Sequence, residues 1–293
     1  MAPSAPTATS VRIRRATPGD AAACGAICYE AFATIGRQHG FPPDFPDSAI
    51  AVGLLSWFFQ DPQFYCVVAE SDGAVVGSNC LDERSTIAGV GPITVAPHVQ
   101  NASVGRLLMQ AVLDRARERG FPGVRLLQAA FHSRSLSLYA KLGFDAREPM
   151  SVMQGPAMKR AIDGHVVRTA TESDVEAATR VCHRVHGHGR AGELRGAIAH
   201  GTARVVERHG RITGYASDLS FMGHAVAESD VDMQALIAAA EGFGGPGLIV
   251  PTRNASLFRW CLNNGLRVVQ PLTLMTIGLY NEPQGTYLPS ILY

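Results

Sequence analysis

The chain has 293 residues, of which 46% are hydrophobic and 17% charged, a length typical of two domains and a composition that excludes global disorder. Its 26 Lys and Arg against 25 Asp and Glu give a formal charge of +1, which excludes a global attraction to nucleic acid or to an acidic membrane surface. A small anionic ligand is still compatible with this balance, because a local group of backbone N–H donors holds an anion without net charge.

The first half of the chain predicts strands alternating with helices. Apolar and β-branched stretches between turn residues predict strands, whereas apolar residues three and four apart predict one face of a helix. The predicted strands cover residues 11–15, 64–70, 74–82, 85–95, 124–130 and 144–153. The predicted helices cover residues 21–32, 48–59, 103–119 and 133–142, and Gly120 and Gly143 end the last two.

The N-terminal residues and the apolar runs predict neither a secretory signal nor a membrane span. Residues 1–10 are rich in Ala, Pro, Ser and Thr without a basic residue, which predicts a flexible tail. Elsewhere Gly, Pro or a charge interrupts each apolar run, so no transmembrane helix is expected. We therefore expect a cytoplasmic protein without a membrane or nucleic-acid partner.

Cysteine and histidine usage predicts no metal site. The six cysteines form no C-x-x-C pair, and we interpret them as buried thiols in a reducing compartment. The local group His183, His186 and His188 is interpreted as a polar helix end and loop, with a metal site as the less favoured alternative.

The order of elements begins again in the second half. Residues 14–20 resemble residues 168–174, and Cys28 matches Cys182, in both cases 154 residues later. Later matches have offsets that fall to 137 residues for Glu70 and Glu207, 124 for Met109 and Met233, and 122 for Gly143 and Gly265. A duplicated α/β unit that lost loops in its second copy explains this pattern, with the join near residues 155–164.

Residues 95–106 connect a predicted strand to a predicted helix and are the most informative stretch. The N-terminus of a helix presents unpaired N–H groups and a partial positive charge, which suit a phosphate. Small residues at Ala102, Ser103 and Gly105 allow the backbone to approach a ligand closely. By itself the pattern fits a Ser-capped helix after a turn equally well.

Two motifs together resemble the GNAT (Gcn5-related N-acetyltransferase) superfamily. Gln100-x-x-Ser103-x-Gly105 is similar to the family's pyrophosphate loop, Gln/Arg-x-x-Gly-x-Gly/Ala, although Ser103 replaces the first glycine. Residues 134–144, with Tyr139 and Gly143, are similar to the family's Asn-x-Arg-Ala-x-x-Leu-Tyr-x-x-x-Gly-Phe helix. The motifs occur in the family's order within residues 11–153, which makes the pair more specific than either motif alone.

The resemblance implies an α/β (α+β type) fold of two tandem GNAT-like units, each a mixed, mostly antiparallel sheet flanked by helices. It places a catalytic unit at residues 11–155 and a degenerate unit at residues 165–293. It also implies acetyl-CoA as cosubstrate and no metal, with the reacting carbonyl where the fourth and fifth strands separate. The implied cofactor-binding residues are Ile93, Thr94, Val95, Gln100, Asn101, Ala102, Ser103, Val104, Gly105, Arg106, His132 and Ser135.

The resemblance implies that Tyr139 is the general acid that protonates the CoA thiolate, although packing of the helix on the sheet is an alternative role. A general base is not readable from the sequence. Glu30, Asp82 and Glu83 are candidates by position, and a surface carboxylate is the alternative for each. His132, where the family usually has Asn, is expected either beside the cofactor or in an exposed loop.

The second copy lacks both cofactor features. Residues 223–230 contain no glycine-spaced loop, and Glu228 and Asp230 add negative charge where a pyrophosphate would bind. Cys261 falls opposite Tyr139. We therefore expect a structural or substrate-shaping role for the second copy.

These features predict an N-acetyltransferase that transfers an acetyl group to a primary amine by direct attack. The alternative is a non-catalytic protein that binds or senses acyl-CoA. The acceptor is open between small-molecule and peptide amines, and a homodimer remains compatible with the sequence. Residues 34–62 are expected to cover the acceptor pocket, with Trp57, Phe58 and Phe59 either lining it or packing the helix.

Overall fold

The computed structural model describes residues 11–99 and 103–293, which form two units with a similar order of elements. The first unit contains β1 (Arg12–Arg15), α1 (Ala21–His39), α2 (Ser48–Gln60), β2 (Phe64–Ser71), β3 (Ala74–Asp82), β4 (Ala88–Val90), β5 (Thr94–Val95), α3 (Val104–Glu118), β6 (Gly123–Ala129), α4 (Ser133–Lys141) and β7 (Asp145–Gln154). The second contains β8 (His165–Thr169), α5 (Val175–His186), α6 (Ala191–Ala199), β9 (Arg204–Arg208), β10 (Arg211–Ala216), β11 (Ala225–Ala227), α7 (Asp230–Ala238), β12 (Leu248–Pro251), α8 (Ala255–Asn263), β13 (Arg267–Gly278) and β14 (Thr286–Leu288).

Two predicted elements differ from the observed ones. The strand predicted over residues 85–95 is divided into β4 and β5, because Gly91 has a φ of 141° and Pro92 cannot donate to a ladder. The first helix runs past residue 32 to His39, where Gly40 in the left-handed conformation ends it.

The duplication is visible in the local structure that opens each unit. Both guanidinium Nη atoms of Arg14 donate to the Asp20 carboxylate at 2.8 Å, and those of Arg168 donate to Asp174 at 2.7 and 2.8 Å. Each aspartate also accepts from the backbone and hydroxyl of the threonine three residues before it. The paired arginine holds the pKa of each carboxyl well below its usual range.

The two units share a sheet. One sheet has the strand order β1-β2-β3-β4-β6-β13-β7-β12, with β5 paired to β3, and the other has the order β14-β11-β10-β9-β8. The second unit's β13 lies between β6 and β7 of the first unit, with Leu272 opposite Ala129 and Gly278 opposite Gly123. The expected boundaries at residues 155 and 165 therefore do not separate two independent sheets.

The first sheet opens beyond β4. The parallel pairing of β4 with β6 is limited to Ala88 with Val124 and Gly89 with Arg125, after which β5 pairs with β3 instead. Gly77 permits this pairing, because a Cβ at that position would lie 2.6 Å from the Thr94 carbonyl oxygen. The separation of β5 from β6 leaves a cavity between these two strands.

Helices cover both faces of this sheet. Helix α3 packs on one face through Leu108 and Val112, and α1 and α2 cover the other through Cys24, Leu55 and Phe58. Among the described residues, no helix combines the length and apolar character needed to cross a membrane.

Candidate active site

A cavity of about 1260 Å³ lies where β5 and β6 separate. Its first-unit walls come from α1, α2, the strands β4 to β6 and the beginnings of α3 and α4. The second unit supplies the remaining wall: Asp218, Ser220, Phe221, Met222, Gly244, Gly245, Pro246, Gln270, Leu272, Ile291 and Leu292. Both copies therefore form this site.

The beginning of α3 borders the cavity through Ser103, Val104, Gly105 and Arg106. Ser103 has a φ of 60°, and its side chain makes no capping hydrogen bond. The left-handed conformation explains the family's preference for glycine at this position. No acidic residue lies in the first turn, so the N–H groups and the positive end of this helix suit an anion. The predicted ligands Gln100, Asn101 and Ala102 lie outside the described residues.

Positive side chains and a strand lie beside this helix end. Arg106, Arg134 and Lys141 line the cavity from α3 and α4, which fits a ligand that carries several phosphates. The expected pantetheine-binding residues Ile93, Thr94 and Val95 line it as well, with β5 paired to β3 on its other side. The donors present therefore fit acetyl-CoA.

Hydrogen bonds fix the start of α4. The His132 carbonyl oxygen accepts from Gln128 Nε2 and Ser135 Oγ at 2.9 Å each, and Gln128 Nε2 also donates to Ser135 Oγ at 3.0 Å. Both His132 and Ser135 line the cavity. Burial, together with Arg134 and His39, lowers the pKa of His132, which favours a neutral imidazole.

Tyr139 lies in the cavity wall and is 8% exposed. Its ring lies 6.1 Å from that of Phe144, measured between centroids. Burial raises the pKa of Tyr139, so the phenol is protonated at neutral pH. This position is compatible with both predicted roles, because the ring packs in the core and also borders the cavity.

The three predicted base candidates do not line the cavity. Glu30 is exposed on α1. Arg84 donates to the Asp82 carboxylate at 2.9 and 2.6 Å, and Arg115 Nε donates to Glu83 Oε1 at 2.7 Å. Asp82 and Glu83 are therefore held in ion pairs with arginines and do not face the cavity.

Sequence reasoning missed the carboxylates that do line the cavity, Asp44 and Asp218. Asp44 lies in the Pro-rich connection between α1 and α2, and an acidic residue among prolines within the expected acceptor region was the available signal. The second unit's contribution had no comparable signal. Of the aromatic group in α2, Phe58 lines the cavity and also stacks on Phe64 with centroids 4.3 Å apart.

The predicted polar helix end in the second unit is polar only in part, because His183 is exposed whereas His186 and His188 lie in the interior. His186 and His188 are buried with His224, and the ring centroids of His188 and His224 each lie 5.4 Å from that of His186. Burial lowers the pKa of all three. Within residues 11–99 and 103–293, no group of three or more His, Cys, Asp or Glu is arranged to hold a metal ion. All six cysteines are buried and free, as predicted.

Comparison with known proteins connects this geometry to a family. Residues 31–144 match the acetyltransferase (GNAT) family. The chain is 31% identical over 155 residues to mycothiol acetyltransferase of Tsukamurella paurometabola, a match that covers 50% of this chain and 52% of that protein. The chain thus spans about half the length of this curated relative.

Solved structures share the whole fold. A crystal structure of an acetyltransferase candidate from Pyrococcus horikoshii matches 94% of each chain with a TM-score of 0.73 and 19% identity. A tandem GNAT protein from the clavulanic acid biosynthesis pathway matches 92% of this chain and 98% of its own, with a TM-score of 0.55 and 13% identity. Residues 31–144 are therefore similar to the acetyltransferase (GNAT) family, and the chain as a whole shares the fold of a tandem GNAT protein.

Proposed function

We propose that the chain is an acetyl-CoA-dependent N-acetyltransferase whose chemistry takes place in the first unit. The observation that carries this proposal is a single cavity bordered by the start of α3, by the side chains of Arg106, Arg134 and Lys141, and by Tyr139. The helix start and the positive side chains supply donors for the phosphates of a CoA thioester, and Tyr139 supplies an acid for its leaving group. The activity named for the Tsukamurella paurometabola relative supports acetyl transfer as the reaction.

In this proposal the cosubstrate follows β5 into the cavity. Ile93, Thr94 and Val95 border the pantetheine arm, and the N–H groups at the start of α3 hold the pyrophosphate. His132 and Ser135 bind beside them at the start of α4. The thioester carbonyl lies between β5 and β6, where backbone donors stabilise the oxyanion that forms during attack.

Tyr139 serves as the general acid in the proposed reaction. The amine attacks the thioester directly, and the departing thiolate takes a proton from the phenol. A thiol has a pKa of about 8.5 and a tyrosine about 10, so position contributes more to this transfer than driving force. The further rise in the pKa of Tyr139 on burial keeps the proton in place until charge develops on sulfur.

Turnover with a panel of amines tests the proposal. The panel comprises 2-phenylethylamine, tryptamine, spermidine, glucosamine, lysine and a peptide with a free N-terminal alanine, each incubated with acetyl-CoA. We expect CoA release that depends on the presence of at least one of these amines. Tight binding of acetyl-CoA without amine-dependent release would instead identify a non-catalytic acyl-CoA sensor.

A further inference from the structure

The charged side chains around the cavity divide into two groups. Arg106, Arg134 and Lys141 lie on α3 and α4, whereas the carboxylates of Asp44 and Asp218 lie on the α1–α2 connection and the β10–β11 connection. Among the described lining residues, these two are the acidic ones. The positive group suits a polyanionic cosubstrate, and the negative group suits a cationic acceptor.

Asp44 is held by a residue of the other unit. Gln270 Nε2 donates to Asp44 Oδ1 at 2.8 Å, although the two residues are 226 positions apart in the chain. Gln270 is buried on β13, where it lies opposite Val152 of β7. The insertion of β13 into the first sheet therefore brings a fixed amide to the carboxylate.

The surroundings of Asp44 favour proton exchange. Asp44 is half-buried, and it has no ion-pair partner within residues 11–99 and 103–293. Burial raises the pKa of Asp44, and the hydrogen bond from Gln270 partly opposes this rise. Cys28 on α1 is close enough for the Asp44 charge to help raise the pKa of its thiol. The other ionisable groups that line the same cavity are His39, Arg106, His132, Arg134, Tyr139, Lys141 and Asp218.

We propose that Asp44 binds the ammonium group of the acceptor and takes its proton, and that Gln270 of the second unit orients the carboxylate for this role. This inference rests on the proposed N-acetyltransferase activity. Apolar side chains line the same cavity. Phe45 follows Asp44 in the chain, with its ring centroid 6.1 Å from that of Phe32; Leu54 lines the cavity from α2, and Phe221 and Met222 lie on the same connection as Asp218. The acceptor is therefore a primary amine on an apolar body.

Asp44, Tyr139 and water account for every proton in the transfer of the acetyl group. The ammonium gives one proton to Asp44, and the freed lone pair forms the C–N bond at the thioester carbonyl. Collapse of the tetrahedral intermediate breaks the C–S bond, and the thiolate takes the proton of Tyr139. The second amine proton returns to Tyr139 through water as the amide forms, and Asp44 releases its proton to solvent.

The first test compares Asp44→Asn with Asp47→Asn in the full chain, using the panel amine that the wild type acetylates fastest. Asp47 lies on the same connection and caps α2 by accepting from the Ile50 N–H, a role that Asn preserves. At pH 7 we expect Asp44→Asn to lower kcat/KM by about 10²-fold and Asp47→Asn to leave it unchanged. The difference in kcat/KM between the wild type and Asp44→Asn should narrow towards pH 10. At that pH much of the amine is already unprotonated and needs no base.

A second variant separates proton transfer from packing. Gln270→Met removes the donor while keeping a side chain of similar length. Because the hydrogen bond lowers the pKa of Asp44, its loss should move the acid limb of the kcat/KM profile to higher pH while the plateau stays within about threefold. If Gln270 had a purely structural role, Gln270→Met would lower the plateau of the kcat/KM profile and leave its acid limb at the same pH.

Stability gives a readout that does not depend on turnover. A carboxyl whose pKa is raised on folding destabilises the folded state above that pKa, and the effect disappears below the unfolded value. Asp44→Asn should therefore raise Tm at pH 7.5, with the gain shrinking as the pH falls to 4.

The outcomes distinguish the two proposals. If the wild type releases no CoA with any panel amine, the proposed function fails and the role of Asp44 fails with it. If the wild type is active and Asp44→Asn retains both its kcat/KM and its acid limb, the role of Asp44 alone is overturned. If Asp44→Asn loses activity and the acid limb of the kcat/KM profile moves to higher pH in Gln270→Met, both the proposed function and the role of Asp44 are supported.

Discussion

The starts of α3 and α7 occupy the same place in the two units and have opposite electrostatic character. Helix α3 begins at an uncapped Ser103, and its first turn contains no acidic residue. Helix α7 begins with Ser229 as N-cap, whose hydroxyl oxygen accepts from the Asp232 N–H, and its first turn contains Asp230 and Asp232. The start of α3 presents its N–H donors to a cavity, whereas at the start of α7 the Ser229 side chain accepts a hydrogen bond from one of the helix's own N–H groups.

The carboxylates of α7 are fully engaged in the structure. Asp232 is buried and accepts from Thr213 Oγ1 at 2.7 Å, with His165 and Arg208 at 3.2 and 3.3 Å. Asp230 accepts from Asn254 Nδ2 at 2.8 Å and from Thr286 of β14, the strand that pairs with β11. A pyrophosphate at this helix end would meet negative charge and a strand of the protein itself.

The comparison teaches that a duplicated helix N-terminus is an anion site only where the chain leaves its donors unsatisfied. The position of the proposed general acid differs between the two units in the same way. Tyr139 lines the cavity, whereas Cys261 is buried in the core of the second unit, where burial raises the pKa of its thiol to about 12. The second unit contributes walls and Gln270 to the first unit's site instead.

The strongest test of this asymmetry is stoichiometry. We expect acetyl-CoA to bind once per chain. Within residues 11–99 and 103–293, the start of α3 has no side-chain cap and no acidic residue in its first turn, and it borders a cavity lined by Arg106, Arg134 and Lys141, whereas the start of α7 is capped and acidic. Isothermal titration calorimetry measures this number directly. Two equivalent sites per chain would contradict the asymmetry between the helices.

Tyr139→Phe and Cys261→Ala extend the comparison to the chemistry. Loss of the phenol should lower kcat by roughly 10²-fold while acetyl-CoA affinity and stability change little, because the hydroxyl acts only as charge develops on sulfur. Cys261→Ala should leave kcat unchanged. Full turnover by Tyr139→Phe, with an amine for which chemistry limits the rate, would leave Tyr139 as a packing residue.

Ser103→Glu makes the start of α3 resemble the start of α7. A carboxylate against the pyrophosphate should weaken acetyl-CoA binding by at least about tenfold, or ~1.4 kcal/mol. Ser103→Gln has nearly the same shape without the charge and serves as the matched control. Equal Kd values for the two variants would indicate that the phosphates bind elsewhere.

Ser229→Ala removes the cap that closes α7. We expect the free energy of unfolding to fall by about 1 kcal/mol, as measured by urea denaturation, because an N-cap oxygen is lost. Acetyl-CoA affinity should stay the same, since this helix end belongs to the second unit. A weaker Kd in this variant would show that α7 takes part in cofactor binding.

Ser103→Gly should have the smallest effect. Glycine relieves the left-handed conformation at φ 60° but loses more chain entropy on folding, so stability should change by less than about 1 kcal/mol. The affinity for acetyl-CoA should stay within about tenfold, because backbone N–H groups supply most of the binding. A larger loss of affinity would assign the Ser103 hydroxyl a direct role.

Much of this protein could be predicted from local sequence patterns. Strand and helix periodicity, the glycine and proline stops, and the repeated residues around Asp20 and Asp174 depend on neighbours within a few positions. The proposed cofactor end of the cavity could also be predicted in this way, because a strand, a turn and a helix start follow one another along the chain. Position along the chain also placed Tyr139 in a helix beside that site.

Only the tertiary structure decided which strand lies beside which. Local patterns do not specify a partner, so nothing in the sequence of β13 distinguishes a place between β6 and β7 from a place in its own sheet. The contact of Asp44 with Gln270, 226 residues away, depends entirely on that choice. For the same reason Asp82 and Glu83 were reasonable base candidates in the sequence, and their arginine partners became visible only once the chain was folded.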